Sequence, residues 1–540
     1  MGFKKNVGAC VLVCACCTVW AQEQAAPLSA NQGQRNISVA KAQFDIKSYR
    51  IEGNSLLAEN AIQSLLARYT GEQRSFDEIA QAAAALRAAY AEAGYPIVQV
   101  SAPEQAVSNG EVTLRVVEGK LSNVISAGNS AYDIGNLRAS LPPLHEGRPV
   151  NTKDLVAAIT LANENPAKQV AVNFAAGSAP GLVDARIDVV EDRQTKVSMT
   201  ADNMGSPATG RTRMGVGYQH ANVLNRDHQL GLQYMTTAEQ PADVKNLVGS
   251  YHIPLYTLGL SLDLVGSYSD SQSTTTAPIG QLLFSGKGVY LASRLNQTLA
   301  GVGELRHKIA YGIDYKDFAN TCGVAGTDLP SCGSVSAMPA GVSYVFQYAN
   351  PNVQAGGSVG VVKNIPGGPH GSDAEYTAAR SGAAQSWSAY RISAFAGVPL
   401  GADWQLRGQI AGQSSPDNLV PAEQYGIGGG SSVRGYEERV AAGDVGYNAS
   451  LELYSPDFGQ AIGGTNVKAR VLAFYDMGSV SKNNPLPTES AIKLASVGLG
   501  MRLNIGKDAA VKLDVGWITE AAGNRAANQA SGTIALSYAF

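Results

Sequence analysis

The last two thirds of the chain alternate apolar residues with small or polar residues over many strand-length stretches. In the last of them, Ile534, Leu536, Tyr538 and Phe540 alternate with Thr533, Ala535, Ser537 and Ala539. A period of two places the apolar set on one face of a strand. An apolar outer face is what a closed barrel needs when lipid surrounds it. The pattern therefore predicts an antiparallel transmembrane β-barrel over residues 195–540.

Charged residues occupy the polar face of this alternation. Arg502 lies between Met501 and Leu503, and Lys512 lies between Val511 and Leu513. Turning either charge towards lipid would cost about 2–4 kcal/mol at the bilayer midplane, so we expect a wet interior. A soluble β-sandwich would bury the apolar face instead, and parity alone leaves that alternative open. The export signal described below and the terminal aromatic favour the membrane.

Connection lengths also alternate. The short connections are Pro254–Thr257, Pro399–Asp403 and Gly506–Asp508, and the long ones are Ser269–Lys287, Asn320–Ala340 and Lys363–Ser386. Short periplasmic turns and long external loops are the rule in bacterial barrels, whose strand number is even, and we expect about sixteen strands here. A barrel of that size leaves an aqueous channel.

Residues 44–193 predict a different architecture, a repeated strand–helix–helix–strand–strand unit. In the first unit, residues 44–119, a strand from Phe44 to Ile51 precedes a helix over Ala58–Leu66. Ser75 and Glu78 then form a capping box for a second helix, which carries Ile79, Leu86 and Tyr90 on one buried stripe.

The second unit, residues 120–193, repeats this order. Its Gly128-Asn129 turn follows Gly53-Asn54 at a distance of 75 residues, and Asn151 opens a helix. Each unit is a small α/β module whose sheet edge offers backbone groups to an extended peptide. A pair of structural spacers is the alternative.

The N-terminus predicts export. Residues 1–21 combine Lys4 and Lys5, an apolar core over Val7–Val19 and a cleavage site at Ala21, as in a signal peptide. A lipoprotein signal is the alternative, but no good lipobox precedes the cysteines at positions 14, 16 and 17. Residues 22–43 form a polar linker.

Composition and the remaining candidate chemistry exclude several functions. A net charge of −3 argues against nucleic acid as a partner. We predict that Cys322 and Cys332, close together in a Gly/Ser-rich stretch, form one disulfide on an external loop. The six histidines lack metal-ligand spacing, so we expect neither a metal nor a cofactor. Gly356-x-Ser358-x-Gly360 spells a nucleophile elbow but lies in a strand, so we expect no enzyme.

A glycine-rich segment, Ile427–Tyr436, interrupts the barrel pattern and can fold back tightly. On the later strand Asn466–Asp476, Phe474 and Asp476 point to the lumen. Such a pair suits a guanidinium, through charge-assisted hydrogen bonds and a cation–π contact. Arg434 is the candidate guanidinium, and a solvated surface charge is the alternative.

Val433-Arg434-Gly435-Tyr436 and Phe474-x-Asp476-x-Gly478 resemble the motifs of the outer-membrane assembly and secretion barrels. The resemblance implies that the sixth external loop, about residues 414–443, tucks into the barrel and places Arg434 against Phe474 and Asp476. The two N-terminal units resemble POTRA domains, carried by Ile51–Asn54, Gly94-Tyr95 and Val116–Gly119 in the first unit and by Asn165-Pro166, Gly177 and Gly181 in the second.

The first barrel hairpin narrows the resemblance. Asp202-Asn203-x-Gly205, Thr209-Gly210-Arg211 and Asn225-x-Asp227-x-Gln229-Leu230 are similar to the opening of the haemolysin secretion/activation proteins, the outer-membrane transporters of two-partner secretion. Some relatives plug the pore with an N-terminal helix, but residues 22–43 show no helical stripe.

This resemblance implies a mixed fold, two POTRA domains in the periplasm followed by a 16-stranded transmembrane barrel in the bacterial outer membrane. The implied function is type V secretion of one exoprotein, haemolysin-like or adhesin-like, which the POTRA domains bind. Outer-membrane lipid and lipopolysaccharide are the other implied partners. A barrel-assembly factor and a general diffusion pore are the alternatives.

Overall fold

The computed structural model describes residues 43–107, 109–207, 209–277, 280–319, 323–324, 327–328, 334–487, 489–523 and 525–540. The predictions for the signal peptide, for the linker up to residue 42 and for the Cys322–Cys332 disulfide lie outside these residues.

The first N-terminal unit is a three-stranded sheet covered by two helices. Its central strand β5 runs parallel to β2 and antiparallel to β4, while β1 pairs separately with β3. The elements are β1 (Gln43–Ile46), β2 (Ser48–Glu52), α1 (Glu59–Leu66), a 3-10 turn (Ala67–Tyr69), β3 (Gly71–Ser75), α2 (Phe76–Glu92), β4 (Gln99–Ser101) and β5 (Glu111–Val117). The prediction of one strand from Phe44 to Ile51 is wrong, because the chain changes partner after Ile46.

Helix α2 begins as its sequence predicts. The Glu78 carboxylate accepts a hydrogen bond from the Ser75 backbone N–H at 2.6 Å, within a complete capping box. The helix buries Ile79, Leu86 and Tyr90 against the sheet. The capping residues thus set the start of the helix, and the apolar stripe sets its orientation.

The second unit repeats the sheet, with β8 between β6 and β7. Its elements are β6 (Lys120–Ala127), α3 (Ile134–Ser140), α4 (Thr152–Ala162), β7 (Lys168–Ala176) and β8 (Leu182–Glu191). In both units, a glutamate side chain accepts hydrogen bonds from the turn that precedes the first helix. This glutamate follows β5 in the first unit and ends β8 in the second. Glu118 accepts hydrogen bonds from the backbone N–H groups of Ser55 and Leu56, and Glu191 accepts them from residues 130–132.

The remaining elements build the barrel and its loops. In chain order they are β9 (Thr195–Asp202), β10 (Arg213–Val223), β11 (His228–Thr237), β12 (Asn246–Leu255), a 3-10 turn (Tyr256–Leu258), β13 (Leu260–Ala277), β14 (Gly280–Thr298), β15 (Leu305–Ala319), β16 (Gly323–Val324), β17 (Thr327–Asp328), β18 (Val335–Ala349), β19 (Gln354–Ile365), α5 (Asp373–Ala379), β20 (Ser388–Gly401), β21 (Trp404–Ser414), β22 (Tyr425–Ile427), β23 (Ala441–Gly443), β24 (Val445–Tyr454), α6 (Gly459–Gly463), β25 (Val467–Ser481), β26 (Ile492–Ile505), β27 (Ala509–Ile518) and β28 (Ala530–Ala539).

Sixteen of these strands close into one antiparallel barrel, in which β28 pairs with β9. The short strands β16, β17, β22 and β23 lie outside this wall as two small hairpins. The predicted sixteen-stranded barrel is confirmed. Within the described ranges, none of the helices has the length and apolar character needed to cross a bilayer.

The alternation of the sequence becomes two faces of the wall. Leu499 is 60% exposed and Tyr538 is 51% exposed, so both lie on the outer, apolar face. Asp476 and Ser496, on the opposite face, are fully buried. The strands therefore present hydrocarbon side chains outwards and polar side chains to the lumen, as a barrel in lipid requires.

All three predicted long loops are partly wrong. The segment Asn320–Ala340 overlaps β18, which begins at Val335. Most of Ser269–Lys287 is hairpin, because the ladder between β13 and β14 continues to the pair Ala277–Gly280. An antiparallel ladder satisfies backbone groups whatever the side chains are, so a polar composition did not reveal it. The segment Lys363–Ser386 contains helix α5, which begins at the capping box of Ser372 and Glu375.

Candidate functional site

The loop between β21 and β24 folds back into the barrel. Within this loop, β22 pairs with β23 as a small hairpin, and the segment between these two strands forms the tip. At the tip, the Gly429 backbone N–H donates to the Val433 carbonyl at 3.1 Å, and the Gly428 N–H donates to the Ser432 hydroxyl at 2.8 Å. This turn delivers Arg434 to the inner face of the wall. We call the segment 415–444 the lumen loop.

Arg434 makes a dense set of contacts with Asp476. Its Nε donates to Oδ2 at 2.6 Å, its Nη2 donates to Oδ1 at 2.8 Å, and its backbone N–H donates to Oδ2 at 3.1 Å. The guanidinium carbon lies 3.5 Å from the centroid of the Phe474 ring. Paired hydrogen bonds to a carboxylate and a stacked ring hold a planar guanidinium in one orientation.

Three further groups of the wall complete the site. Arg434 Nη1 lies 2.7 Å from Glu452 and 3.4 Å from Asp514, and Nη2 donates to the Ser450 hydroxyl at 3.1 Å. We call Glu452, Asp476 and Asp514, on β24, β25 and β27, the acidic cluster. Phe474 and Asp476 were predicted from the sequence, whereas Ser450, Glu452 and Asp514 were not. The alternation of each strand shows that these three side chains face the lumen, on strands close to that of Asp476. It does not show whether they lie at the same level along the barrel axis as Asp476.

Two glycines allow the loop to lie so close to the wall. Gly435 has a φ of 96°, and a Cβ there would lie 3.3 Å from Ile518. A Cβ at Gly478 would lie 3.3 Å from Val433. Such contacts are tighter than a side chain at either position would ordinarily tolerate. Both motifs therefore carry glycine where the loop meets the wall.

Val433 and Tyr436 anchor the tip by packing. Val433 is fully buried in an apolar cluster with Ile427, Leu494 and Ile518. The Tyr436 hydroxyl lies within hydrogen-bond distance of the carbonyls of Ala495 at 3.0 Å and Glu520 at 2.5 Å. The structure thus brings together all seven residues of the two motifs. The cysteines at 322 and 332 lie outside the described residues.

A second polar centre joins the second N-terminal unit to the barrel. Lys168, on β7, donates to Asp227 at 2.5 Å, and these side chains are 0% and 1% exposed. Asp227 also accepts from the Tyr256 hydroxyl at 2.7 Å and from the Asn136 amide at 3.1 Å. Burial lowers the pKa of Lys168, and the neighbouring Asp227 carboxylate opposes that shift. We call these residues the junction cluster.

The sequence analysis identified Asp227 only as one residue of a hairpin motif, and it predicted no contact for this residue. The junction cluster depends on packing between two domains, which periodicity does not report. The nearby Asn225 supports the same contact, since its amide donates to Asp133 at 2.6 Å. The hairpin motif therefore places groups that hold the second unit against the barrel.

Other candidate chemistry lies in ordinary surroundings. Ser358 is in the middle of β19, and its hydroxyl shares a hydrogen bond of 2.8 Å with Ser393. A nucleophile elbow needs a strand–turn–helix, which this segment is not. In the part of the chain that the structure describes, no group of three or more His, Cys, Asp or Glu side chains could hold a metal.

Comparisons with known proteins agree with this architecture. The profile of the family "Haemolysin secretion/activation protein ShlB/FhaC/HecB" matches residues 181–503, and that of the ShlB-type POTRA domain matches residues 44–119. The outer membrane transporter CdiB of Dickeya dadantii is 22% identical over 75% of this chain and 71% of its own length. The heme/hemopexin transporter HuxB of Haemophilus influenzae is 20% identical over 87% and 83%.

Two solved structures have the same fold. CdiB from Escherichia coli superposes with a TM-score of 0.75 at 17% identity, covering 94% of this chain and 93% of that one. CdiB from Acinetobacter baumannii superposes with a TM-score of 0.70 at 15% identity, covering 95% and 93%.

Proposed function

The chain belongs to the haemolysin secretion/activation protein ShlB/FhaC/HecB family, and from this premise we propose how its described residues carry out secretion. It is an outer-membrane β-barrel transporter of the two-partner class, with its POTRA-type domains in the periplasm. Its cargo is a secreted exoprotein. We propose that this exoprotein binds the POTRA domains first and then crosses the lumen as an unfolded chain.

The observation that carries this proposal is the lumen loop itself. A loop that crosses the lumen and is ion-paired to the wall through Arg434 would obstruct a general diffusion pore. The same contact can be exchanged for water when a cargo chain enters, since Glu452 and Asp514 keep 18% and 12% exposure. A transporter that opens only when its cargo enters needs a loop that closes the lumen and contacts that water can replace.

The periplasmic units supply a docking surface. In each three-stranded sheet the outer strands are β2 and β4 or β6 and β7, and among the described residues each of them pairs with a strand of its sheet along one edge only. At the start of β6 the other edge is occupied by residues 147–149, and the rest of that edge is available. Such edges present backbone N–H and C=O groups that an extended peptide can pair with. We propose that the N-terminal part of the exoprotein adds a strand there. The junction cluster would keep this surface beside the pore.

The test is secretion of a candidate exoprotein, taken from the reading frame beside this gene and co-expressed with the full chain or with a variant lacking residues 44–119. That deletion leaves the second unit and the junction cluster in place. We expect loss of the exoprotein from the medium while the barrel stays in the outer membrane. Undiminished secretion would refute capture by the first unit, and undiminished secretion after deletion of residues 44–193 would refute POTRA-mediated capture.

Two further strains, one lacking the whole gene and one carrying Arg434→Ala, separate the alternatives. A barrel-assembly factor would lower the amounts of other folded outer-membrane proteins when it is deleted, with no effect limited to one exoprotein. A diffusion pore would pass small solutes equally well with and without Arg434→Ala. Either result would contradict the proposed transport function.

A further inference from the structure

The first half of the lumen loop carries a second buried charge, Glu423. Lys316 Nζ donates to Glu423 Oε1 at 2.7 Å, and Arg391 Nη2 donates to Oε2 at 3.2 Å. Lys316 lies on β15 and Arg391 on β20, so both cations belong to the barrel wall. We call Lys316 and Arg391 the basic pair.

This contact is enclosed and supported. The Glu423 side chain is 1% exposed, and that of Lys316 is 13% exposed. The Gln413 amide donates to the Glu423 carbonyl at 2.9 Å and accepts from Arg391 Nε at 2.9 Å. A buried carboxylate without partners is costly, so its two cations hold this half of the loop in place.

The Arg434 and Glu423 contacts lie on different parts of the wall. Asp476 on β25 is three strands from Arg391 on β20 and six strands from Lys316 on β15. Around the barrel, β27 is the eighth strand from β15, passing β18, β19, β20, β21, β24, β25 and β26, and the barrel has sixteen strands. Asp514 of the acidic cluster is therefore across the lumen from Lys316. The loop meets the acidic cluster with a cation, Arg434, and the basic pair with an anion, Glu423.

We propose that Glu423 is a second positioning residue for the lumen loop, and that the lumen opens fully only when the Arg434 contact and the Glu423 contact are both released. Release of Arg434 alone removes the ion pair at the tip but leaves the first half of the loop bound to β15 and β20. This inference rests on the proposed function in taking the lumen as the export route. It adds that opening is controlled from two separate parts of the wall.

The experiment measures single-channel conductance of the purified full-length protein in planar lipid bilayers. It compares the unchanged protein with Glu423→Gln, Arg434→Ala and the double variant. We expect each single variant to raise the open fraction by about tenfold and the double variant by about a hundredfold, since the free energies of separate contacts add. Glu423→Asp should restore much of the closed state.

The matched control is Glu489→Gln, which removes a glutamate that pairs with Lys482 at 2.5 Å in a different loop. Its open fraction should equal that of the unchanged protein. Conductance of Glu423→Gln at the unchanged level, or a double variant no more open than Arg434→Ala, would overturn the proposal. The assay needs no exoprotein, so its failure is distinct from failure of the transport function.

Heat-modified mobility in gels shows whether each barrel is folded. If Glu423→Gln does not fold, Lys316→Met tests the same contact from the wall. An increase in open fraction with Lys316→Met supports the proposal, and an unchanged open fraction overturns it.

Discussion

The ion pairs of the junction cluster and of the acidic cluster are both buried, but their surroundings differ. In the junction cluster, Lys168 and Asp227 are 0% and 1% exposed, and neutral donors fill the remaining positions around the carboxylate. In the lumen, Arg434 is 7% exposed and faces three carboxylates, two of which reach water. The first arrangement has one partner for each charge, and the second has spare partners.

This difference indicates different tasks. In a fully buried pair with one partner for each charge, loss of one member leaves the other charge buried without any compensating charge. Such a pair suits a fixed contact between domains. A guanidinium with three acceptors can give up one and keep the others, so it suits a loop that moves. The following predictions test this contrast, from the largest effect to the smallest.

Lys168→Ala should have the largest effect. It leaves the Asp227 carboxylate buried without its cation, which costs about 3–5 kcal/mol. Amide hydrogen exchange of β7 should become about a hundredfold faster or more. The matched control is Arg186→Ala in the same unit, whose ion pair with Asp188 is 58% and 35% exposed and should contribute about 0–1 kcal/mol.

Asp476→Ala should have an intermediate effect. Arg434 loses its paired hydrogen bonds but keeps Glu452 and Asp514, so we expect a cost of about 1.5–3 kcal/mol. Hydrogen exchange of residues 428–436 should accelerate by roughly ten- to a hundredfold. An effect as large as that of Lys168→Ala would show that the lumen site has no spare partners and would break the comparison.

Lys507→Ala should have the smallest effect, although it also removes a contact between the second unit and the barrel. Lys507 lies 2.5 Å from Asp192 but is 66% exposed, so the pair should contribute about 0–1 kcal/mol and be weakened by salt. Exchange at β8 in low and high salt checks this. Equal effects of Lys507→Ala and Lys168→Ala would contradict the role assigned to burial.

Asp192 also sets the pH dependence of this exposed contact. Hydrogen bonds from Lys507 and then from Lys196 hold the pKa of Asp192 below its usual range. A lowered carboxyl pKa contributes stability that is present above the unfolded value and is lost as the pH falls through the folded value. The difference in hydrogen exchange between the unchanged protein and Lys507→Ala should therefore persist at neutral pH and shrink in strong acid.

Much of the fold could be predicted from the local sequence. Alternation identified the barrel strands, such as the one ending at Ala539, because side chains of a strand point to opposite faces and only one face can meet lipid. The capping box at Ser75 identified the start of α2, because its hydrogen bonds join residues only three positions apart and are therefore visible in the local sequence. Helix α5 and the extended β13–β14 hairpin were missed, because neither has a distinctive apolar period.

By itself the sequence determined which residues face the lumen and which motifs meet there, Arg434 with Phe474 and Asp476 among them. The tertiary structure was needed to show that Glu452 and Asp514 join that site, that Glu423 meets Lys316 on another part of the wall, and that Lys168 meets Asp227. The physical reason is closure. A period of two shows on which face of a strand a residue lies. Strand register, barrel closure and domain packing determine which distant residues lie at the same level along the barrel axis and close enough to contact each other.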